Sequence, residues 1–554
     1  VAGLATCFGS GAMTNSMDDI AQHAAAFLII GSNTSEQHPV FGTMLRRAVS
    51  RRGAKLVVAD PRTIDMAEFA TLHLRHNPGT DVLLINGLMH IILEKGWEDK
   101  KFIAGRTEGF EELKTLLKQY PPGKVAEAAG VPEEQLYEAA GILATSKPMA
   151  VMWAMGITQH IVGVRNVMDL ANLQMLLGNM GVPGGGVNPL RGQNNVQGAC
   201  DLGGLPNVYP GYQPVTNEDA RTKFESAWGV AMPDQIGRTV TEMIPGCLDG
   251  KTKALYILGE DPVMTDPDSN HIDKCLRACD FVLMQEIFPS ETVRYADVLL
   301  PGACFAEKTG TNTNSERRIQ MVRKAVEPPG KAREDWRITA DLARRILAEG
   351  KRTVSAGKHS NWEYSDTAQI MAEIADLTPS YAGVSHERLE RGERLQWPVK
   401  DATHPGTPIL HVGQFTLGRG KFMPVEHIPP AELPDDDYPF LLSTGRVLYH
   451  WHGGEMTRRA RGLLEVYDRS LVEVNPDDAL KLGLNGNKRV RITSRRGQIE
   501  ATAWVTDRVP PGMVFANFHF PGNQNVNVLT IAALDPVAKI PEYKICAVKV
   551  ESVR

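Results

Sequence analysis

Short, nearly continuous apolar runs alternate with amphipathic stretches over the first two thirds of the chain. Residues 27–33 (FLIIGSN) read as a buried strand entering a turn, a helical pattern follows through Arg46 and Arg47 to Gly53, and residues 55–60 read as a second strand ending in Asp60-Pro61-Arg62. This is the βαβ rhythm of a parallel sheet, in which ligand-facing loops leave the carboxyl ends of the strands. Pro78-Gly79-Thr80-Asp81 predicts a capped helix start before an apolar run to Lys95, and Gly96 suits its end. Further helices are predicted over Glu133–Thr145 and 164–177, flanking a strand at 150–155.

The alternation pauses at 181–200 (GVPGGGVNPLRGQNNVQGAC), a run of Gly, Pro and Asn that predicts a long functional loop without helix or strand. A second α/β region follows, with strands at 254–258, 281–285 and 298–300. Each ends in polar or turn-forming residues: Gly259-Glu260-Asp261-Pro262, Gln285-Glu286 and Pro301-Gly302. Residues 352–437 are rich in Pro, Gly, His and charge and read as a connection with one short helical pattern near Thr367–Leu377. Beyond Tyr438 the pattern becomes closely spaced β segments at 440–443, 471–474, 489–493, 499–505 and 514–518, the signature of a small β-barrel. The expected division is 1–193 and 194–351 as two α/β domains, the second incomplete, then 352–437 as connection and 438–554 as barrel.

At 554 residues, three or four domains are expected. Apolar residues at 42% and charged residues at 23% exclude a disordered chain, and a net charge of −5 offers no basic surface for nucleic acid or anionic lipid. The longest apolar stretches, 24–31 and 82–93, fall short of the ~20 residues of a membrane span. Seven cysteines without a CxxC spacing predict neither a disulfide framework nor a zinc or iron–sulfur site, and favour a reducing, cytoplasmic compartment. Cys275 and Cys279, four apart, are expected on one helix face as packing residues. The chain opens at Val1 without an initiator Met or a signal core.

Polar strand ends suit a large cofactor with phosphates and ring edges. Gly31 would let backbone come close, Asn33 offers a carboxamide, and Asp60 can accept from a guanine or ribose. Taken singly, an Asp or Gly at a strand end is more often a turn former than a ligand. The run from Arg191 to Cys200 joins one permanent cation to a cluster of carboxamides and glycines. Its guanidinium could clamp a small carboxylate through two parallel hydrogen bonds, or form a structural salt bridge between domains; composition leaves the two readings equal. His450 and His452 flank Trp451 at another strand end. No HExxH, P-loop or G-x-S-x-G pattern occurs.

Together these loops resemble the molybdopterin oxidoreductase family, and most closely its formate dehydrogenase catalytic subunits. The matching runs are VAGL, GSGAMTN, FLIIGSN, VVADPR, MWAMGITQ, GVNPLRGQNNVQGACDLG, YILGEDP, DVLLPG, NSERRIQ, STGRVLYHWHGGEMTRR and IPEYK, in order and over nearly the whole chain. The resemblance implies two related parallel-sheet α/β domains with a C-terminal double-psi β-barrel. It implies a bis(molybdopterin guanine dinucleotide) cofactor carrying molybdenum or tungsten. By motif, Gly31, Ser32, Asn33, Asp60 and Arg62 would contact one dinucleotide, Met155, Gln159, Gln193, Asp261, Thr265, Gln285 and Glu286 the other, and Arg446, His450, Tyr543 and Lys544 would reach the cofactor from the barrel. Arg191 would orient formate, which is oxidised to carbon dioxide.

In the family, electrons leave through a [4Fe–4S] cluster held by an N-terminal cysteine domain, towards iron–sulfur or flavin subunits. A Cys or selenocysteine metal ligand precedes the VAGL run. Both are expected upstream of Val1, with a selenocysteine codon read as a stop as the suggested reason for this start. The 554-residue chain by itself is then expected not to oxidise formate. Two alternatives stand: another member such as nitrate reductase, which lacks the Arg191 run, and a non-catalytic electron-transfer scaffold of the kind found in respiratory complex I.

Overall fold

The structure, a computed structural model, describes residues 1–350, 354–485 and 488–553. The chain packs as two compact units, one comprising residues 1–190, 262–273 and 409–554, the other 191–261 and 274–408.

The first unit is built on a five-stranded, all-parallel sheet. Its strands are β1 (Ala26–Ile30), β2 (Lys55–Ala59), β3 (Leu72–Leu74), β4 (Met149–Trp153) and β5 (Val187–Pro189), in the order β3-β2-β1-β4-β5. The period-2 alternation of a strand sends side chains to opposite faces. Leu28, Ile30, Val57, Val151 and Trp153 accordingly enter one core with helices Asp81–Glu94, Glu133–Thr145 and Gly163–Leu176. Phe27, Ile29, Val58 and Met152 enter a second core with helix Pro39–Arg52. That double burial is why the strands read as continuous apolar runs. Gly53, left-handed at φ 71°, ends the helix before β2.

The same unit carries a closed six-stranded barrel. Its strands are β6 (Phe440–Gly445), β7 (Leu471–Val474), β8 (Arg489–Thr493), β9 (Gln498–Val505), β10 (Met513–Asn517) and β11 (Cys546–Ser552), in the order β6-β10-β7-β9-β8-β11. Inward residues such as Val472, Val490, Ile492, Val514 and Val548 fill it. The second unit holds a three-stranded parallel sheet of Ala254–Leu258, Phe281–Glu286 and Val298–Pro301, with Phe281–Glu286 central. It also holds an antiparallel pair, Gly310–Thr313 with Ile319–Val322.

Two expectations are corrected, that of a featureless 181–200 loop and that of a shared helix face for Cys275 and Cys279. The 181–200 run is not featureless: Val187–Pro189 adds a sheet strand beside β4, and Val196–Asp201 is helical. Within 352–437 the expected helix Thr367–Leu377 is present, a second helix, His386–Glu390, follows it, and the packing of the stretch divides at 408/409 between the units. Cys279 lies beyond the helix Ser269–Arg277 that carries Cys275, so the two do not share a helix face. The boundary expected at 351/352 falls outside the described residues. Among the described residues, no helix is long and apolar enough to cross a membrane.

Candidate functional site

In the first unit, the carboxyl ends of β1 and β2 meet barrel residues. Gly31 leaves β1 at φ 56°, and a Cβ there would lie 2.8 Å from the Gly156 carbonyl carbon, while one on Gly156 would lie 2.6 Å from Gly31 Cα. Both glycines are therefore required by the crossing of two backbones, whatever else binds there. Ser32 is buried with its hydroxyl 3.1 Å from that of Thr34. Asn33 is 5% exposed, yet both polar atoms of its carboxamide are buried and without a hydrogen-bond partner. A native structure rarely leaves such a pair unsatisfied without a function for it.

Asp60 follows β2, and its Oδ1 accepts from the Arg62 backbone N–H at 2.9 Å. Removal from water raises its carboxyl above the ordinary range, against that hydrogen bond and the Arg62 charge. Arg62 itself is committed: Nε and Nη2 donate to Glu473 of β7 at 3.1 and 2.6 Å, and its guanidinium stacks 3.5 Å from the Phe515 ring centroid. Lys544 Nζ donates to the Thr444 carbonyl at 2.6 Å. Its ammonium is pushed down to about 8 by burial and by the Arg62 charge, with Asp60 opposing. The Tyr543 hydroxyl donates to the Thr265 carbonyl at 2.8 Å, and its own carbonyl accepts from Thr444 Oγ1 at 2.8 Å.

Arg446 donates to the Gln37 carbonyl at 2.8 Å and lies 4.4 Å from the Trp451 ring centroid. The ring nitrogens of His450 lie 2.7 Å from the Tyr467 carbonyl and 3.1 Å from Thr457 Oγ1. His519, which sequence reasoning missed, accepts from the Val447 N–H at Nε2, 3.0 Å, while Nδ1 lies 2.5 Å from the His452 carbonyl. Burial holds its imidazolium down at about 3, so the ring is neutral and Nδ1 is the donor. The structure thus brings Gly31, Ser32, Asn33, Asp60, Arg62, Thr265, Arg446, His450, Tyr543 and Lys544 into one unit. Met155, 41% exposed, and Gln159 belong to it as the first residue and the C-cap of a short helix after β4.

The second unit holds Arg191, Gln193, Asp261, Gln285 and Glu286. The Arg191 side chain is partly buried, with Nη1 3.6 Å from Cys200 Sγ. Its loop is backed by buried Asp201, whose Oδ1 accepts from Gln197 at 2.7 Å and Tyr212 at 2.8 Å, and whose Oδ2 accepts from Tyr381 at 2.7 Å. Burial raises the Asp201 carboxyl, and these donors and the Arg191 charge pull it back. Asn195 Oδ1 accepts from the Thr313 N–H at 2.9 Å, and a Cβ on Gly198 would meet that same oxygen at 2.3 Å. The carboxamides and glycines around Arg191 are therefore partly scaffold.

Gln193 is exposed. Asp261 accepts from the Thr292 N–H at 2.9 Å, from the Thr292 hydroxyl at 2.5 Å and from the Glu291 N–H at 3.1 Å, so it caps the short helix Glu291–Tyr295. Gln285 accepts from the Tyr256 hydroxyl and donates to Asp335 at 2.6 Å. Burial raises the Glu286 carboxyl, against hydrogen bonds from the Ile287 and Phe288 N–H groups. Arg317, also missed, is wholly buried and donates to the carbonyls of Trp397, Thr407 and Pro408. Glu473, Tyr381 and Arg317 meet partners far away in sequence, and Asp201 joins the nearby Gln197 and Tyr212 to the distant Tyr381, so no local spacing shows what these four residues hold. Among the described residues, no cluster of three His, Cys, Asp or Glu is arranged to hold a metal ion.

Comparison with known proteins decides the class. The molybdopterin oxidoreductase family description matches residues 5–345, and the molydopterin dinucleotide binding domain matches 440–547. The chain belongs to the molybdopterin oxidoreductase family. As a member it is an oxidoreductase, and the two matched stretches take in most of the strand-end positions above. The F420-dependent formate dehydrogenase subunit alpha of Methanocaldococcus jannaschii is 47% identical over all of this chain, which spans 80% of that protein. Formate dehydrogenase H of Escherichia coli is 36% identical, again over all of this chain and 76% of its own length. Acetylene hydratase from Pelobacter acetylenicus superposes with a TM-score of 0.75, covering 100% of this chain and 80% of that one. At 19% identity that likeness shows a shared fold, including the barrel, and nothing of the substrate.

Proposed function

We propose that this chain is the catalytic subunit of a formate dehydrogenase, and that Arg191 holds formate. What carries the reading is the Arg191 loop: a guanidinium on a segment braced by Asp201, Tyr212 and Tyr381, in a chain 47% identical to a formate dehydrogenase alpha subunit. Formate leaves as carbon dioxide, giving up two electrons and one proton. A bound bis(molybdopterin guanine dinucleotide) with molybdenum or tungsten would supply the electron acceptor for that step.

The residues present fit such a group. The unpartnered carboxamide of Asn33 and the raised carboxyl of Asp60 suit the edges of a guanine or ribose, and Lys544 suits an anionic portion. Gly31, Ser32 and Arg62 would complete that cradle. Met155, Gln159, Gln193, Asp261, Thr265, Gln285 and Glu286 would serve the second dinucleotide, with Arg446, His450 and Tyr543 from the barrel. The chain's own part is to hold formate through two parallel charge-assisted hydrogen bonds from Arg191 and to fix that guanidinium against the Asp201 network. Electrons would pass through a [4Fe–4S] cluster to iron–sulfur or flavin subunits in the cytoplasm. Residues 1–193, 194–351, 352–437 and 438–554 would be the sequence segments inherited as domains.

The test is Arg191→Lys in the holoenzyme. It keeps the charge but loses the planar fork, and losing one charge-assisted hydrogen bond of about 1.5–3 kcal/mol lowers kcat/KM for formate about 10- to 150-fold. Metal content stays at the wild-type level. Wild-type turnover in the variant overturns the assignment of Arg191.

A further inference from the structure

Three of the chain's seven cysteines, Cys247, Cys275 and Cys279, meet in the second unit, and none has a part in the formate reading. Cys247 closes the short turn Pro245–Cys247, Cys275 lies on the helix Ser269–Arg277, and Cys279 follows that helix. Backbone contacts bring these segments together. The Thr252 N–H donates to the Gly246 carbonyl at 2.9 Å, the Phe281 N–H donates to the Lys253 carbonyl at 3.1 Å, and Cys279 Sγ lies 3.5 Å from the carbonyl oxygens of both Lys253 and Phe281. On that frame the side chains of Cys247 and Cys279 share a hydrogen bond, and Cys275 is near enough to act on Cys247 electrostatically.

The cluster stands at the amino ends of the strands Ala254–Leu258 and Phe281–Glu286, whereas Asp261, Gln285 and Glu286 stand at their carboxyl ends. One strand length, about 17 Å at about 3.3 Å per residue, separates the two ends, so chemistry at the thiols does not touch those side chains. A buried free cysteine is ordinarily a small packing residue, and Cys275 at 0% and Cys247 at 4% exposure fit that description. Cys279 does not: it is only half-buried, and it gives the buried pair a thiol that a reagent in solvent can reach. Among the described residues the thiols are not arranged to hold a metal ion, which leaves thiol–disulfide exchange as the chemistry of the cluster.

We propose that Cys247 and Cys279 form a redox-active dithiol, a site of reversible modification that closes to an intramolecular disulfide by exchange with a small-molecule disulfide. Cys279 gives its proton to solvent and attacks one sulfur of the small disulfide, whose S–S bond breaks to leave a mixed disulfide on Cys279 and one free thiolate. Cys247 then attacks the Cys279 sulfur, and its proton goes to the second thiolate expelled. The two cysteine sulfurs lose two electrons, and the small disulfide takes them and departs as two thiols. An S–S bond of about 2.05 Å lies within reach of side-chain rotation for two thiols already in contact. Burial and the hydrogen bond to Cys279 push the Cys247 thiol up to about 12, so the second attack is the slower one.

The test treats the reduced holoenzyme, without air, with oxidised glutathione, traps the remaining thiols by alkylation and maps the peptides by mass spectrometry. The expected product is a Cys247–Cys279 link in more than half of the chains, lighter than the reduced pair by two hydrogen atoms and reopened by dithiothreitol. Cys247→Ser should stop at the mixed disulfide, with one glutathione on Cys279, and Cys279→Ser should leave Cys247 unmodified. The wild-type map stands by itself if either variant fails to fold. A wild-type protein that stays reduced, that carries glutathione on Cys279 without closing, or that links Cys275 in place of Cys279 overturns the proposal.

Discussion

Replacing Glu473 by Leu tests how the sheet ends of the first unit are joined to the barrel. Glu473 is 4% exposed and Arg62 8% exposed, and the two make a bidentate pair at 2.6 and 3.1 Å. A second guanidinium, Arg508, has Nη1 3.8 Å from Glu473 and Nη2 3.0 Å from Glu36, which follows β1. Glu473→Leu therefore leaves the Arg62 guanidinium buried against Phe515 without its bidentate partner and with only the Asp60 carboxyl near its charge, while Arg508 retains Glu36. Breaking one side of a buried pair costs about 3–5 kcal/mol, because the remaining charge stays desolvated. With about 2–4 °C lost per kcal/mol for domains of about 150–250 residues, Tm should fall by about 6–20 °C, towards the lower end for a larger unit. The decisive assay is a double-mutant cycle by calorimetry: Arg62→Leu with Glu473→Leu removes both charges and should recover more than half of the loss. If the double variant is as unstable as the two single losses added together, the two residues are not coupled and the reasoning fails.

Two further outcomes follow from the same unit. Asp60→Ala removes a charge-assisted acceptor of about 1.5–3 kcal/mol, so pterin retention, measured as bound molybdenum or tungsten per chain after gel filtration, should weaken about 10- to 150-fold; full loading with only an altered KM for formate would mean Asp60 is misplaced. Lys544 has its ammonium lowered to about 8 from an ordinary value of 10.5, so the unfolded chain binds more protons between these values and stability rises with pH across that window. In cofactor-free protein, Tm should climb between about pH 8 and 10 more steeply in wild type than in Lys544→Met, and equal slopes would remove Lys544 as the cause.

The parallel sheet and the barrel were readable because their determinants are local. The apolar runs at β1, β2 and β4, the Gly53 and Gly96 stops and the closely spaced β segments beyond Tyr438 are each defined within a few residues of sequence. Where a segment forms only by distant pairing, local pattern fails. Val187–Pro189 looks like part of a Gly and Pro loop, and is a strand because β4 offers an open edge. Strand β11 closes the barrel against β6 and β8, partners far upstream, and no turn signal announces it. The site divides in the same way. Arg191 and Asp60 stand in recognisable runs, whereas Asp201 and Tyr381, 180 residues apart, become neighbours only in the folded unit.

A motif match does not separate residues that bind from residues that hold the binding residues in place, and the geometry begins to do so. Asn33 keeps a buried carboxamide unpartnered, and Gln193 and Met155 are exposed, so these three have capacity to spare. Asp261 spends both oxygens capping Glu291–Tyr295, Arg62 is held by Glu473, and both ring nitrogens of His450 have protein partners within 3.1 Å. Side chains of the second kind could still touch a cofactor through a remaining lone pair or a ring face, but changing them disturbs the scaffold first. Loss of cofactor after substitution at Asp261 or Arg62 would thus carry less information than the same loss at Asn33. The Asn33 carboxamide makes no hydrogen bond to another described residue, so replacing it breaks none of the bonds that hold this scaffold.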